Sequence, residues 1–342
     1  MTDSPPPRLP ADTRGIVDPA TMARHVTLHR YPAGVVLEGL VEWFWAVSWQ
    51  LPDGHEHVQQ VLNHPSGHIS VGTTDETGAS AERPAGRVYG LITRMSQRHL
   101  VGEGWTVAAK TTTGGLGALI DRSARAVTDH QLTLDDALRL DGGSLVARIV
   151  DAGIEPDRID LLREALESVV RRRDPQRVAQ AREVARVARI AETDRRVMRV
   201  EQLAAEAGVS VRTLQRLFGE FVGAGPAWVI RRWRIIEAAE RAGGSSLATP
   251  GPGWAGWAEL AAELGYSDQA HLTRDVRAHL GMPPGRYRAR QSNPASAADV
   301  RPDLPRGHRG VVEHPGLDVL HQPGHHQHPD HDEQHTESPP PR

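Results

Sequence analysis

Residues 26–135 show the alternation of apolar and polar positions that is typical of β-strands. In the clearest run, 40–49, the larger side chains recur at every second position, as Val41, Trp43, Trp45, Val47 and Trp49. A period of two puts them on one face of a strand. Four further strands are predicted at 58–62, 68–71, 87–93 and 105–109, separated by turn-rich pieces. Several short strands joined by turns indicate a barrel or sandwich.

Farther along the chain the spacing becomes helical. Helices are predicted over 133–140, 144–151, 157–173 and 176–192. In the third, apolar residues recur at intervals of three and four, as Ile159, Leu162, Leu166, Val169 and Val170. Asp174-Pro175 is predicted to separate the last two helices, because the residue before a proline is disfavoured in a helix. The sequence therefore predicts a helical connector and a domain boundary near residue 174.

Residues 201–220 have the pattern helix, glycine turn, helix. The first helix is predicted to end at Gly208 in a left-handed conformation, and Ser210 is a good N-cap for the second. The buried face of the second helix is predicted to carry Leu214, Leu217 and Phe218. Its outer face is predicted to carry Arg212, Gln215 and Arg216. This is the helix-turn-helix pattern.

The same pattern recurs at 257–279. Gly265 is predicted to end the first helix, Tyr266 to pack in the turn and Asp268 to cap the second helix. The inner face of that helix is predicted to carry Leu272, Val276 and Leu280, and its outer face Gln269, Ala270, Thr273 and Arg274. A helix predicted at 227–242 would hold the two units at a fixed separation. One such pattern is weak evidence for a DNA-binding module, whereas two patterns in tandem are much stronger evidence.

The composition limits the chemistry that the chain can perform. The 342 residues carry a formal net charge of -3, so any contact with nucleic acid must come from a local patch. Such a patch exists in residues 195–290, which hold 14 arginines against 9 acidic residues. The absence of cysteine excludes disulfides, thiolate zinc sites and cysteine nucleophiles. No nucleotide-binding fingerprint or catalytic triad is found, so we expect no enzymatic activity and no cofactor.

The two ends of the chain are predicted to be disordered tails. Residues 1–25 are rich in Pro, Asp and Thr and lack the features of a signal peptide. Residues 292–342 are rich in Pro and His, and their composition cannot bury enough apolar surface to fold. No stretch approaches the roughly 18 apolar residues that span a bilayer. We therefore expect a cytoplasmic protein that does not contact membranes.

Several segments closely resemble the AraC/XylS family of transcription regulators. They are 210–218, 225–226, 265–272 and 281–287, and the resemblance covers roughly residues 176–290. Residues 30–32, 41–49 and 128–129 are similar, more loosely, to the uncharacterised, presumed sensing domain that accompanies this module in actinobacterial members. The linker 243–256 is longer and richer in Gly and Pro than the usual connection. The resemblance implies that two recognition helices enter successive major grooves on one face of DNA.

The predicted contacts with DNA follow from the outer faces of the two second helices. Candidate base-reading residues are Arg212, Gln215, Arg216, Gln269, Thr273 and Arg274. Candidate contacts to the DNA backbone are Ser210, Arg231 and Arg232. Arginine can donate two hydrogen bonds to guanine, and glutamine pairs with adenine. The alternative for each arginine is an ordinary solvated position on a helix surface.

The fold predicted from these observations is α+β. It comprises a β-rich, barrel-like or sandwich-like sensor or dimerisation domain with its helical connector (26–173) and an all-α domain with two helix-turn-helix units (174–291). Double-stranded DNA is the expected partner, and RNA polymerase, a small-molecule effector and a second copy of the chain are further candidates. The alternative function is a helix-turn-helix interaction module, or a ligand-binding protein, without sequence-specific DNA readout.

Two sets of residues in the strand region allow a functional and a structural interpretation. Trp43, Trp45 and Trp49 are candidates for a ligand pocket, although core packing explains their alternation equally simply. His55, His57, His64 and His68 lie in a region of strands and turns, but no carboxylate stands at a fixed offset from them. The sequence therefore favours core packing for the tryptophans and no metal site for the histidines.

Overall fold

The computed structural model describes residues 14–74, 80–243 and 256–280, and shows a β-rich N-terminal part followed by a helical C-terminal part. This is the predicted α+β arrangement. Residues 1–13, most of the linker and residues 281–342, which include the predicted C-terminal tail, lie outside the described residues.

Eight strands in the described residues build two antiparallel sheets. They are β1 (Val26–Pro32), β2 (Val41–Gln50), β3 (Glu56–Val61), β4 (His68–Thr74), β5 (Ser80–Tyr89), β6 (Ser96–Val101), β7 (Glu103–Thr111) and β8 (Gln131–Thr133). The main sheet has the order β1-β2-β7-β4-β5-β8, and β3 pairs with β6 alone. The five predicted strands correspond to β2, β3, β4, the end of β5, and β7. Strands β1, β6 and β8 were missed, since β6, for example, is mostly polar.

Apart from the first turn of helix near the N-terminus, the helices of the N-terminal part lie between β7 and β8 or follow β8. They are α2 (Leu116–Leu119), a 3-10 turn (Ala124–Val127), α3 (Leu134–Leu138), α4 (Gly142–Asp151) and α5 (Glu155–Arg172). Helices α4 and α5 pack against the main sheet. The strand face that joins the helical core is apolar and buried, and carries Tyr31, Phe44, Ile69, Val88 and Val107. The predicted connector therefore covers one side of the sheet.

The opposite face of the main sheet combines large side chains on β2 with small ones on its neighbours. Trp45 and Val47 pair across the register with Ala108 and Thr106 of β7, and Ala108 pairs in turn with Ser70 of β4. Paired residues share a face. The small residues therefore leave a depression in the middle of this face.

The two-stranded sheet β3–β6, which we term the lid sheet, folds over this depression. Strand β2 runs into β3 through residues 51–55, and β6 runs into β7 through Gly102. At its other end the lid sheet joins the main sheet through residues 62–67 and 90–95. Two sheets facing each other in this way give the predicted sandwich-like arrangement.

Residues 14–25, predicted as part of a disordered tail, are instead packed on the strands. Ile16 forms an isolated bridge with Val61, and Val17 is buried. A short helix, α1 (Pro19–Met22), is capped by Asp18, and Met22 is buried against Trp49 and Leu100. The segment 14–25 has few apolar residues, and its polar composition led to the prediction of disorder. Those apolar residues nevertheless suffice to hold the segment in place, because the sheet provides the surface on which they pack.

Six helices in the described residues form the C-terminal part. They are α6 (Pro175–Thr193), α7 (Val200–Glu206), α8 (Val211–Phe221), α9 (Pro226–Gly243), α10 (Trp257–Glu263) and α11 (Gln269–Leu280). Each lies within two residues of the bounds predicted from the sequence, which are 176–192, 201–207, 211–220, 227–242, 257–264 and 269–279. The predicted glycine turns are confirmed, because Gly208 has φ of 64° and Gly265 has φ of 75°. A side chain with a Cβ rarely adopts this left-handed conformation. The tandem helix-turn-helix geometry is therefore encoded locally.

The predicted boundary at residue 174 is a break between helices across which the two parts remain in contact. The Asp174 side chain caps α6 by accepting from the Gln176 amide at 2.9 Å. Beyond this break, Arg177 forms an ion pair with Glu220 of α8 at 2.9 Å and donates to the carbonyl of Gly117 at 2.8 Å. Helix α8 also packs against α2 and the 3-10 turn. The first helix-turn-helix unit therefore rests on the N-terminal part.

Among the described residues, no helix combines the length and the apolar character that crossing a bilayer requires.

Gly104 limits what the β2–β7 pair can accommodate. A Cβ at this position would lie 2.2 Å from Cζ2 of Trp49, which is its register partner. We expect Gly104→Ala to lower the free energy of unfolding by about 1–3 kcal/mol, since the ring or the strand must shift. Chemical denaturation measures this change.

Gly143 is a suitable control because it is exposed on α4 and a Cβ there would meet no atom closer than 3.6 Å. We expect Gly143→Ala to leave stability unchanged or to raise it by up to about 1 kcal/mol. Equal losses of stability in the two variants would show that the packing of the Trp49 ring does not require a glycine at position 104.

Candidate nucleic-acid interface and internal cavity

The second helix of the first unit, α8, begins at a capped N-terminus. Oγ of Ser210 accepts from the Thr213 amide at 3.1 Å, as predicted from the sequence. Leu214 and Phe218 are buried. The outer face carries three exposed side chains, Arg212, Gln215 and Arg216. Solvent therefore reaches all three candidate base-reading residues of this unit.

The second helix of the second unit, α11, repeats this construction. Asp268 caps it by accepting from the His271 amide at 2.7 Å, and Leu272 and Val276 are buried. Gln269 and Arg274 are exposed, whereas Thr273 is half-buried. His271 is a packing residue, because its ring meets the Tyr266 ring edge-on at 5.2 Å.

Helix α9, which we term the spacer helix, joins the two units and is held by buried contacts. Val229, Trp233 and Ile236 are buried on it. Arg234 is also buried, and its Nη2 donates to the carbonyls of Asp194 and Val197 at 2.9 and 3.0 Å. These bonds fix the spacer helix to the segment between α6 and α7.

The two candidate DNA-backbone residues of the spacer helix have opposite environments. Arg231 is exposed and lies 3.5 Å from Asp275 of α11. Arg232 is fully buried, and the prediction that it contacts the DNA backbone was wrong. Its Nε donates to the carbonyl of Asn63 at 2.9 Å, and its Nη1 lies 3.5 Å from the carbonyl of Thr93. Composition could not separate the adjacent arginines, because only tertiary packing gives them different faces.

Arg232 remains a cation in this environment. Burial lowers the pKa of Arg232 to about 10, and the nearby Asp129 carboxylate partly opposes this effect. Asp129 also accepts from the amide and the hydroxyl of Thr93 at 2.7 and 2.6 Å. Asn63, Thr93 and Asp129 together hold the arginine at the lid sheet, and no sequence motif predicted this site.

A cavity of about 220 Å³ lies between the main sheet and the lid sheet. Its aromatic lining includes Trp43, Trp45, Trp49 and Tyr89. The prediction that the three tryptophans serve core packing was therefore wrong for Trp43 and Trp45, which are only half-buried. Small side chains on the neighbouring strands of the main sheet, Ser70 on β4 and Thr106 on β7, leave the space open. Small residues at alternate positions of these two strands were the signal in the sequence that could have indicated a cavity.

Basic side chains cluster beside the tryptophans. The charged groups of Arg30 and Lys110 lie 4.5 and 4.1 Å from the ring centroid of Trp43. Both side chains line the cavity, and Lys110 also forms an ion pair with Glu42. Burial lowers the pKa of Lys110, and Glu42 opposes this shift. Sequence analysis missed these cations because each lies on a different strand.

Two histidines of the lining are uncharged, His64, which is buried, and His68, which is half-buried. Burial, with Lys110 and Arg98 nearby, lowers the pKa of His68 to about 3. Burial also holds the pKa of His64 well below its usual range. The described part of the chain contains no group of three or more His, Asp or Glu side chains arranged to hold a metal ion.

Two family models match the chain. Residues 203–290 match a helix-turn-helix domain, and residues 29–133 match a domain of unknown function, DUF6597. A segment of 97 residues is 37% identical to a Streptomyces lividans protein described as an AraC-like transcription regulator. This match covers 28% of the present chain and 29% of that protein. The chain thus matches less than a third of the curated relative's length.

Two solved structures are similar to parts of the chain. One is a transcriptional regulator with an AraC-type DNA-binding domain from Chromobacterium violaceum, 20% identical, covering 33% of this chain and 94% of its own, with a TM-score of 0.28. The other is ToxT from Vibrio cholerae, 10% identical, covering 73% of this chain and 99% of its own, with a TM-score of 0.38. These TM-scores are too low to establish a common fold.

The different environments of Arg231 and Arg232 predict different effects on stability. We expect Arg232→Met to lower the free energy of unfolding by about 1–3 kcal/mol, because it leaves the buried carbonyl of Asn63 without its donor. Arg231→Met should lower it by less, by up to about 1 kcal/mol, because its ion pair with the half-buried Asp275 is open to solvent on the arginine side. Urea denaturation of both variants measures the difference. Equal effects would contradict the assignment of Arg232 to a buried contact.

The depressed pKa of His68 makes stability depend on pH. Below about pH 6.5 the unfolded chain protonates this histidine, whereas the folded protein does not, so stability falls as pH falls. From pH 7.5 to 5.5 this effect amounts to about 1.4 kcal/mol. We expect His68→Gln to reduce the pH dependence of the unfolding free energy by about that amount. A variant with the pH dependence of the wild type would contradict the neutral state of His68.

Proposed function

We propose, from a C-terminal domain that is of the AraC helix-turn-helix type, that the whole protein is a sequence-specific transcription regulator. It inserts α8 and α11 into successive major grooves of double-stranded DNA. The observation that carries this proposal is the presence of two capped helix-turn-helix units with exposed Arg and Gln side chains, joined by one buried spacer helix. We propose no catalytic activity.

The exposed residues suit base recognition. Arg212 and Arg216 of α8, and Arg274 of α11, can each donate two hydrogen bonds to guanine O6 and N7. Gln215 and Gln269 can pair with adenine in the same grooves. Thr273 is less exposed, and its role is limited to a base beside the helix. We propose that Ser210 and Arg231 contact the DNA backbone, since such contacts position the helices without reading sequence.

The spacer helix supports a two-groove geometry. Its 18 residues extend about 27 Å at 1.5 Å per residue, while successive major grooves are about 34 Å apart. Because its inner side is buried, a bend in it would expose apolar surface. It therefore holds the two recognition helices at a nearly constant separation.

The N-terminal part modulates DNA binding in this proposal. It contains a cavity, and its Gly117 carbonyl accepts from Arg177, which pairs with the first recognition helix, while its Asn63 carbonyl accepts from Arg232 of the spacer helix. A small-molecule effector in the cavity would therefore act on the elements that set the DNA-binding geometry.

Substitutions in the two units test the proposal. Arg216→Ala and Arg274→Ala should each weaken binding to a duplex selected from a random library by about 1–3 kcal/mol. Each should also remove footprint protection at a different half-site, because the two helices read separate grooves. Binding to a scrambled duplex should change much less.

Arg186→Ala is the matched control, since this exposed arginine on α6 lies outside both recognition helices. It should keep the affinity and footprint of the wild type. Equal losses on selected and scrambled DNA would restrict Arg216 and Arg274 to phosphate contacts. A wild-type protein that selects no sequence from the library would overturn the proposed function in favour of a protein-interaction module.

A further inference from the structure

The lining of the cavity under the lid sheet combines aromatic rings with positive charge. The rings of Trp43, Trp45 and Trp49 offer extended flat surfaces, which favour contact with another planar group. The charged side chains that line the cavity in the described structure are Arg14, Arg30, Arg98 and Lys110, with no Asp or Glu among them. Arg14 and Lys110 also pair with Glu192 and Glu42, which lie outside the lining. The lining itself still carries an excess of positive charge, and its attraction for an anion is stronger there than in water.

The cavity also offers hydrogen-bonding atoms. Both ring nitrogens of His64, Nδ1 of His68 and Oγ1 of Thr106 are buried and have no hydrogen-bond partner among the described residues. Buried polar atoms are normally paired in folded proteins. These three side chains all line the cavity. A ligand with oxygen atoms would therefore satisfy atoms that the fold leaves unpaired.

The volume limits the size of the occupant. A cavity of about 150 Å³ is enough to hold benzene, so about 220 Å³ accommodates one or two fused rings with a polar substituent. We propose that this cavity binds a flat aromatic anion, of which an arene carboxylate is the simplest form, and that its occupancy is transmitted to the spacer helix through Arg232. This inference rests on the proposed function for its regulatory part only.

The transmission follows from what Arg232 contacts. Residues 62–67 leave the lid sheet at the end of β3, and residues 90–95 enter it at the start of β6. The carbonyls of Asn63 and Thr93, one in each connection, face the guanidinium of Arg232. Nδ2 of Asn63 joins the two connections by donating to the carbonyl of Arg94 at 3.0 Å. Arg232 is therefore a clamp on the base of the lid sheet.

A second contact lies beside this clamp. His64 lines the cavity, and its ring packs edge-on against the Trp233 ring of the spacer helix with 5.1 Å between centroids. Asn63 and His64 thus separate the cavity from the spacer helix, since each lines the cavity and also contacts that helix. A ligand that displaces the lid sheet or rotates the His64 ring therefore changes the contacts of two consecutive residues of the spacer helix, Arg232 and Trp233.

Ligand class is tested by titration calorimetry on the full chain without DNA. The probes are indole-2-carboxylate, its neutral amide and cyclohexanecarboxylate, which is an anion without an aromatic ring. We expect the indole carboxylate to bind at least tenfold more tightly than either of the others. Arg98→Gln should weaken it about tenfold, whereas the exposed Arg94→Gln is the control and should not change it.

A cavity-filling variant separates binding in the cavity from binding elsewhere. Val47→Trp adds a ring to the lining, and its folding is checked by circular dichroism. If this variant folds, it should no longer bind indole-2-carboxylate. If it does not fold, the affinity of Arg98→Gln decides whether the carboxylate binds in the cavity. Absence of binding to the wild type, equal binding of acid and amide, or retained binding in a folded Val47→Trp protein would each overturn the ligand assignment.

The transmission is tested by fluorescence anisotropy on a selected duplex, with and without indole-2-carboxylate. The carboxylate should change the DNA affinity of the wild type at least fivefold. Arg232→Met should keep carboxylate binding but reduce this change to less than twofold, while Arg186→Met, an exposed control whose ion pair with Glu183 lies within α6, should keep it. If the carboxylate changes the DNA affinity of Arg232→Met as much as that of the wild type, the proposed transmission through Arg232 is overturned. Failure of the wild type to bind any duplex would overturn the proposed function and leave the calorimetric result intact.

Discussion

A guanidinium group that is shielded from water requires acceptors at fixed positions, and Arg232 finds them for Nε and Nη1 at the base of the lid sheet, while its Nη2 has no acceptor among the described residues. Leaving such a charge without its carbonyls would be unfavourable by several kcal/mol. The position of the spacer helix is therefore tied to two connections of the N-terminal part, at Asn63 and Thr93. This contact links the lid sheet, and with it the cavity beneath, to the helix that joins the two recognition units.

The sequence predicted the C-terminal part far better than the N-terminal site. Caps such as Ser210 and Asp268, and glycines such as Gly208, act within a few residues of their own position, so their effect can be recognised locally. The strand β2 was predicted for the same reason, since a period of two needs no partner. Element types with strong local signals were thus predictable to within a few residues.

The cavity and the clamp could not be predicted because they depend on pairs that are distant in the chain. Whether Trp45 packs in a core or faces a void is decided by its small register partners, Ala108 and then Ser70. Arg231 and Arg232 are identical in sequence terms, yet one is exposed and the other lies beside a carbonyl 169 residues away. The packing of residues 14–25 escaped prediction similarly, since their apolar side chains gain a surface only when the sheet is complete.

The contact between Arg232 and Asn63 also has a consequence for biosynthesis. Every strand of the N-terminal part leaves the ribosome before the spacer helix does, because residue 232 follows β8 by about a hundred positions. Until then the base of the lid sheet has no guanidinium between its two connections. We expect the nascent N-terminal part to have a looser lid than the finished protein. Interception by a chaperone, or capture of an effector during translation, would be easiest in that interval.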